Sequence, residues 1–86
     1  RNYPNPFNPT TTIRYGLPET SDVTLVVYDI TGREVATLIN HSQAAGWHAK
    51  QWNGTSQAGT PVGTGVYLAR IQAGNYSSVI KMVYLR

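Results

Sequence analysis

The 86-residue chain predicts an all-β fold, an antiparallel sandwich of about seven short strands. Three observations carry that expectation. Helical periodicity is absent, whereas apolar and polar residues alternate over short stretches. Clusters of Gly, Pro, Asn and Ser punctuate the chain about every ten residues, the interval at which sandwich strands turn. Two pairs of apolar runs are separated by only two or three residues containing Gly, at Thr31-Gly32 and Ala73-Gly74-Asn75, which is the mark of β-hairpins.

The elements follow in order. RNYPNPFNP opens the chain with three prolines and three asparagines. Each proline biases the residue before it (Tyr3, Asn5 or Asn8) toward extended geometry, and asparagine side chains close turns onto nearby amides. Pro6 and Pro9 have the spacing of a proline-rich ligand, but Phe7 between them favours burial. Asn5, Pro6, Phe7, Asn8 and Pro9 are therefore expected, with Tyr3, to pack on one end of the sandwich as its first piece. TTTIRYGL then puts Ile13, Tyr15 and Leu17 on one face and Thr12 and Arg14 on the other. DVTLVVYDI aligns Val23, Leu25 and Val27, with Val26, Tyr28 and Ile30 opposite, so this strand is either covered on both sides or bulged.

REVATLI follows a tight Thr31-Gly32 turn, where Gly takes positive φ without steric cost. NHSQAAG reads as a turn-rich connection to WHAKQW, and NGTSQAGTPVGTG as a loop holding four of the eight glycines. VYLARIQ and YSSVIKMVYL close the chain as a final hairpin. The whole is expected to be one domain over residues 1–86, an immunoglobulin-like two-sheet sandwich.

Composition narrows the function. Seven Lys and Arg against four Asp and Glu leave a net charge of +3 scattered along the sequence, without the one-sided basic cluster of a nucleic-acid binder. With no Cys there is no disulfide, thiolate metal site or cysteine nucleophile. No apolar run approaches bilayer-spanning length and no signal peptide opens the chain, so membrane insertion is not expected and any export signal is expected upstream, in a longer precursor.

Catalysis needs convergent polar groups. Glu19 and Asp22 fall in or beside a turn, and Asp29 and Glu34 flank the first hairpin, across from each other or near Arg33. Neither pair offers the substrate cleft that two-carboxylate hydrolysis requires. His41, in a turn, and His48, on a strand, gather no third metal ligand. Ser42, Ser56, Ser77 and Ser78 lack a nucleophile-elbow glycine pattern. Neither an enzyme nor a cofactor or metal site is expected. Trp47 and Trp52, five apart on one strand, point to opposite faces, so one anchors the core and the other is exposed. An exposed aromatic can stack on a sugar, which makes Trp47 the candidate platform of an alternative, carbohydrate-binding or adhesive module.

Taken in order, NYPNPFNPTTTIRYGLP, VTLVVYDITGREVATLI, AAGWHAKQWNG, GTPVGTGVYLARIQAG and KMVYLR closely resemble the type A C-terminal sorting domain of the type IX secretion system. That family, from exported proteins of Bacteroidetes and related phyla, is similar in fold to the immunoglobulin-like domain of the flagellar hook-capping protein. The likeness covers essentially the whole chain. Tyr28, Asp29, Gly32, Arg33, Glu34 and Val35 match its hairpin, and Gly46, His48 and Trp52 its G-x-H-x-x-x-W. Gly65, Val66 and Tyr67 match its GVY step. Lys81, Met82, Val83, Tyr84, Leu85 and Arg86 match its terminal signal segment, the expected site of translocon recognition. Lys50 and Tyr84 depart from the pattern, standing where apolar and aliphatic residues are usual. Lys50 must either run its stem along the sheet or mark a strand edge.

The resemblance implies a non-catalytic address. A cargo domain precedes it in the precursor, which crosses the inner membrane and reaches the outer-membrane translocon and its shuttle proteins from the periplasm. A sortase-like surface peptidase commonly removes the domain, leaving cargo at the cell surface or outside the cell. Ser78, Ile80, Met82 and Tyr84 alternate with Val79, Lys81, Val83 and Leu85. A last strand at a sheet edge could therefore bind a receptor by strand addition; alternatively it is an ordinary core strand ended by protective charges.

Overall fold

The computed structural model describes residues 10–85; the expectations for Tyr3, Asn5–Pro9 and Arg86 fall outside them. Six strands run through the described residues: β1 (Thr11–Leu17), β2 (Ser21–Asp29), β3 (Glu34–Gln43), β4 (Gly46–Trp52), β5 (Gly65–Ala73) and β6 (Tyr76–Tyr84). They form an immunoglobulin-like sandwich of two antiparallel sheets, one ordered β1-β4 and the other β3-β2-β5-β6. Of the expected count of about seven, six strands lie among the described residues, and the loop expected after β4 holds a single Thr55–Pro61 bridge.

Period-two alternation builds the core as the sequence implied. Ile13, Tyr15 and Leu17 of β1 face Val23, Leu25 and Val27 of β2, with Ala69, Ile71 and Ala73 of β5 and Met82 of β6 beside them. Full burial of Leu25 or Ile71 contributes about 1.5–3 kcal/mol each. Where the sheets meet, Trp52 packs edge-on to Tyr67 with ring centroids 5.3 Å apart, and Tyr84 completes the cluster at 6.1 Å from Trp52 and 6.5 Å from Tyr67. The Trp52 indole donates to Thr55 O (2.9 Å) and the Tyr67 hydroxyl to Gly63 O (2.7 Å), so both polar tips are satisfied by the 53–64 loop.

Local geometry departs from the sequence reading in three places. The first hairpin does not turn on Thr31-Gly32 alone. The chain turns over Ile30, Thr31 and Gly32, with Asp29 N–H donating to Arg33 O (2.9 Å), Gly32 N–H to Asp29 O (3.0 Å) and Gly32 at φ 87°. The Asp29 carboxylate accepts from the Thr31 hydroxyl (2.6 Å), the Thr31 amide (2.9 Å) and the Arg33 amide (3.1 Å), which holds the wider turn. Glu34 therefore stands opposite Tyr28 and not opposite Asp29.

Second, β3 continues through Asn40–Gln43, so His41 is a strand residue and the connection to β4 shrinks to Ala44-Ala45. Pairing with Ser21–Thr24 of β2 overrides the turn-forming composition of this stretch. Third, the bulges lie in β3 and not in β2. Leu25 pairs with Ile39 and Val26 with Thr37, which leaves Leu38 extra; Val27 pairs with Ala36 and Tyr28 with Glu34, which leaves Val35 extra. Val35 and Leu38 both pack against the core as a result. On β2 the outer positions Val26 and Tyr28 are half-buried, while Ile30 lies exposed in the turn.

Candidate functional site

The four-stranded sheet has two edges, and the chain treats them differently. At the β3 edge, Gln57 of the long loop acts as a one-residue strand: its amide donates to Val35 O (2.9 Å) and its side-chain Oε1 accepts from the Thr37 amide (2.7 Å). With two bulges added, that edge is broken up and partly capped, the usual protection against unwanted strand pairing. Nothing in the sequence distinguishes Gln57 from its loop neighbours; its role depends on where the loop folds back.

The β6 edge is regular. β6 pairs with β5 from Tyr76↔Ala73 to Tyr84↔Gly65 without a register shift, and with no other described strand. Gly74 at φ 59° starts the two-residue turn that sets this register. A two-residue turn makes Ala73 and Tyr76 a hydrogen-bonded pair, so alternate residues 76, 78, 80, 82 and 84 bond to β5. The backbone groups of Ser77, Val79, Lys81 and Val83 then point along the outer edge.

The side chains of the expected signal segment divide accordingly. Met82 (0% exposed) and Tyr84 face the core. Val79 (56% exposed), Lys81 and Leu85 (42% exposed) are open to solvent, and Val83 is half-buried on the outer face. Val79 was not singled out by the terminal motif, although its alternation with Lys81 and Val83 in the sequence carries the signal. The other motif residues lie elsewhere. Tyr28, Asp29, Gly32, Arg33 and Glu34 build the first hairpin, while Gly65, Val66 and Tyr67 start β5, with Gly65 and Val66 opposite Tyr84 and Val83. Trp52 is a core residue at 1% exposure.

Trp47 is 86% exposed on the outer face of the small sheet. Its ring lies across Gly16, its cross-strand partner, where an added Cβ would come within 2.9 Å of the indole. Covering the bare backbone of a strand glycine gives Trp47 a structural role. His48 stacks on Tyr15 at 5.5 Å and bonds Ala44 O through Nε2 (2.7 Å), and the Tyr15 hydroxyl donates to Gln43 Oε1. Lys50 occupies an inward-facing register position on the β4 edge but is exposed, at the mouth of a groove of about 610 Å³ lined by Ala36, Leu38, Lys50, Trp52 and Gln57 among others.

Among the described residues three groups titrate away from their ordinary values, each for a local reason. The Thr31 hydroxyl bond, assisted by the Arg33 and Thr31 amides and the Arg33 charge, holds the Asp29 carboxyl below its ordinary value. Burial pushes the Tyr15 hydroxyl up, and burial with the nearby Asp29 and Tyr84 pushes the Tyr67 hydroxyl up. Among the described residues no three His, Asp or Glu side chains gather as a metal site, and no buried side-chain polar atom lacks a hydrogen-bond partner.

The fold and the unequal edges define an immunoglobulin-like sandwich with one regular strand edge that pairs with no other described strand. The chain belongs to the FlgD Ig-like domain family, whose model matches residues 7–77. Among solved structures it is similar to FlgD from P. aeruginosa, at 27% identity and TM-score 0.69 over 84% of this chain and 58% of that one. It is also similar to dimeric latent PorU from Porphyromonas gingivalis, at 23% identity and TM-score 0.75 over 99% of this chain and 9% of that one. A third similar structure is PorZ, described as an essential surface component of the type IX secretion system of the same organism, at 22% identity and TM-score 0.68 over 100% of this chain and 11% of that one. The chain thus spans under two thirds of each of these proteins, and PorU and PorZ share its fold. No curated protein matches it.

Proposed function

We propose that this domain is a non-catalytic sorting module that directs an N-terminally attached cargo through the type IX secretion translocon. Its location in that reading is the periplasm in transit and then the cell surface or exterior. The translocon, its shuttle proteins and a sortase-like surface peptidase are its partners, and residues 1–86 act as one sorting domain. The observation that carries the reading is the regular edge of β6, whose outward backbone groups at Val79, Lys81 and Val83 suit strand addition by a receptor. The motif resemblance supports it, as does the shared fold with PorZ, a named surface component of that system.

Removing residues 82–86 would delete Met82 and Tyr84 from the core, so that truncation would confuse misfolding with loss of address. Proline at Val79 or Val83 is the sharper test. A proline whose missing N–H faces solvent is tolerated on an edge strand, yet it removes a donor that strand addition needs. In a type IX-competent host, cargo fused to V79P or V83P is expected to stay in the periplasm while the domain remains folded. Normal surface delivery of both folded variants would sink the reading.

The alternative, a carbohydrate-binding module, rests on the exposure of Trp47. Binding to insoluble glycan that disappears in W47A would favour it.

A further inference from the structure

None of the described acids lies on β5 or β6, although Glu19 lines a hollow with Gly74, Asn75 and Tyr76, and Asp29 stands opposite Tyr67 of β5. Glu19 is in the turn before β2, Asp22 is near the start of β2, the Asp29 carboxylate is engaged by Thr31 and Arg33, and Glu34 is on β3. The register aligns Glu34, Tyr28, Leu68 and Lys81 as one row across the outer face of the sheet, so Glu34 is three strands from Lys81. At about 4.8 Å per strand that is roughly 14 Å, beyond the screening length at physiological salt.

The adjacent row runs Thr37, Val26, Arg70 and Val79. Arg70 and Lys81 are thus diagonal neighbours on β5 and β6, both exposed, with Val79 opposite Arg70 and Val83 opposite Val66. The outer-face positions of β5 and β6 are Val66, Leu68, Arg70, Gln72, Ser77, Val79, Lys81 and Val83, and they include no carboxylate. The regular edge is therefore flanked by aliphatic side chains and by two cations with no carboxylate among the described outer-face positions of β5 and β6.

We infer that the partner of β6 is an acidic β-strand, in which aliphatic residues meeting Val79 and Val83 alternate with a carboxylate facing Lys81 and within reach of Arg70. This rests on the docking role of β6 proposed above and adds the chemistry of its partner. Backbone pairing supplies most of the affinity, while the charge row selects the strand and rejects basic ones, since like charges placed opposite one another are unfavourable. The two cations also keep β6 from pairing with β6 of a second copy, because the Lys81 side chains would be brought together.

The test uses the isotopically labelled 86-residue chain and two synthetic strand peptides, one built on Val-Thr-Glu-Thr-Val and the other on Val-Thr-Lys-Thr-Val, so that valine, the charge and valine share one face. Affinity and amide-exchange protection are read at low and high salt. The acidic peptide is expected to protect the Val79, Lys81 and Val83 amides and to bind about tenfold or more tightly than the basic one, a preference that shrinks with salt. The double variant R70E/K81E, with its fold checked by near-ultraviolet circular dichroism, is expected to reverse the order. Equal protection by both peptides would overturn the acidic-partner inference and leave edge docking standing. Protection by neither would overturn the inference too, while the sorting role would still be decided separately by delivery of V79P and V83P.

Discussion

Tyr84, at the end of the last strand, packs against the bare Cα of Gly54, so closely that a Cβ there would lie 2.6 Å from two carbons of the tyrosine ring. Gly54 is also at φ 73°, in the left-handed region. The contact ties the end of β6 to the loop that follows β4, next to Trp52 and Tyr67. Gly54→Ala should therefore destabilise the domain by about 2–4 kcal/mol, combining left-handed strain with overpacking. Gly16→Ala meets only the exposed ring of Trp47, which can swing aside, and should cost less than about 1 kcal/mol. Urea unfolding of the two variants checks the contrast; equal losses would contradict it.

The two faces of β6 should respond differently to truncation. Met82→Ala leaves a cavity under a fully buried side chain and is expected to cost about 2–5 kcal/mol. Val79→Ala, on the open face, should shift stability by no more than about 0.5 kcal/mol. Denaturant midpoints read both, and a large loss at Val79 would mean that its side chain is covered.

Gln57→Ala removes the acceptor for the Thr37 amide and reopens the β3 edge. A loss of about 0.5–1.5 kcal/mol is expected. Sedimentation velocity should also show self-association rising with concentration, because an uncapped edge invites strand pairing. A variant that stays monomeric at high concentration would count against the capping role.

Stability should fall at both ends of the pH scale through identifiable groups. The Asp29 carboxyl is held below its unfolded value, so its contribution is present above the unfolded pKa of about 4 and is lost as pH drops through the folded value. Asp29→Asn keeps an acceptor oxygen but no titrating charge, and should flatten the acid limb. The Tyr67 hydroxyl is raised, so its contribution is complete below the unfolded pKa of about 10 and disappears as pH rises through the folded value. Tyr67→Phe loses the bond to Gly63 O, costs about 0.5–1.5 kcal/mol at neutral pH and flattens the alkaline limb. Melting temperature against pH for the two variants measures both effects.

Much of the core was legible in the sequence because period-two alternation is a local signal. Ile13, Tyr15 and Leu17, or Val23, Leu25 and Val27, share a face whatever lies opposite them. Turn and strand boundaries around Asp29 and Asn40–Gln43 were less legible, since one depends on three bonds to a single carboxylate and the other on pairing with β2. The candidate site was half legible. Alternation separated Met82 and Tyr84 from Val79, Lys81 and Val83, but no local pattern says which strand ends a sheet.

By itself, then, the sequence determined the all-β class, the faces of the strands, the final hairpin and the family likeness carried by its motifs. Each depends on residue spacing or on residues adjacent in the chain. Tertiary structure alone decided that β6 is an edge, that Gln57 caps the opposite edge, that the bulges belong to β3 and that Arg70 sits diagonally beside Lys81. These facts join residues distant in the chain: sheet order and loop return are set by how the two layers close over one core, and no single segment encodes them.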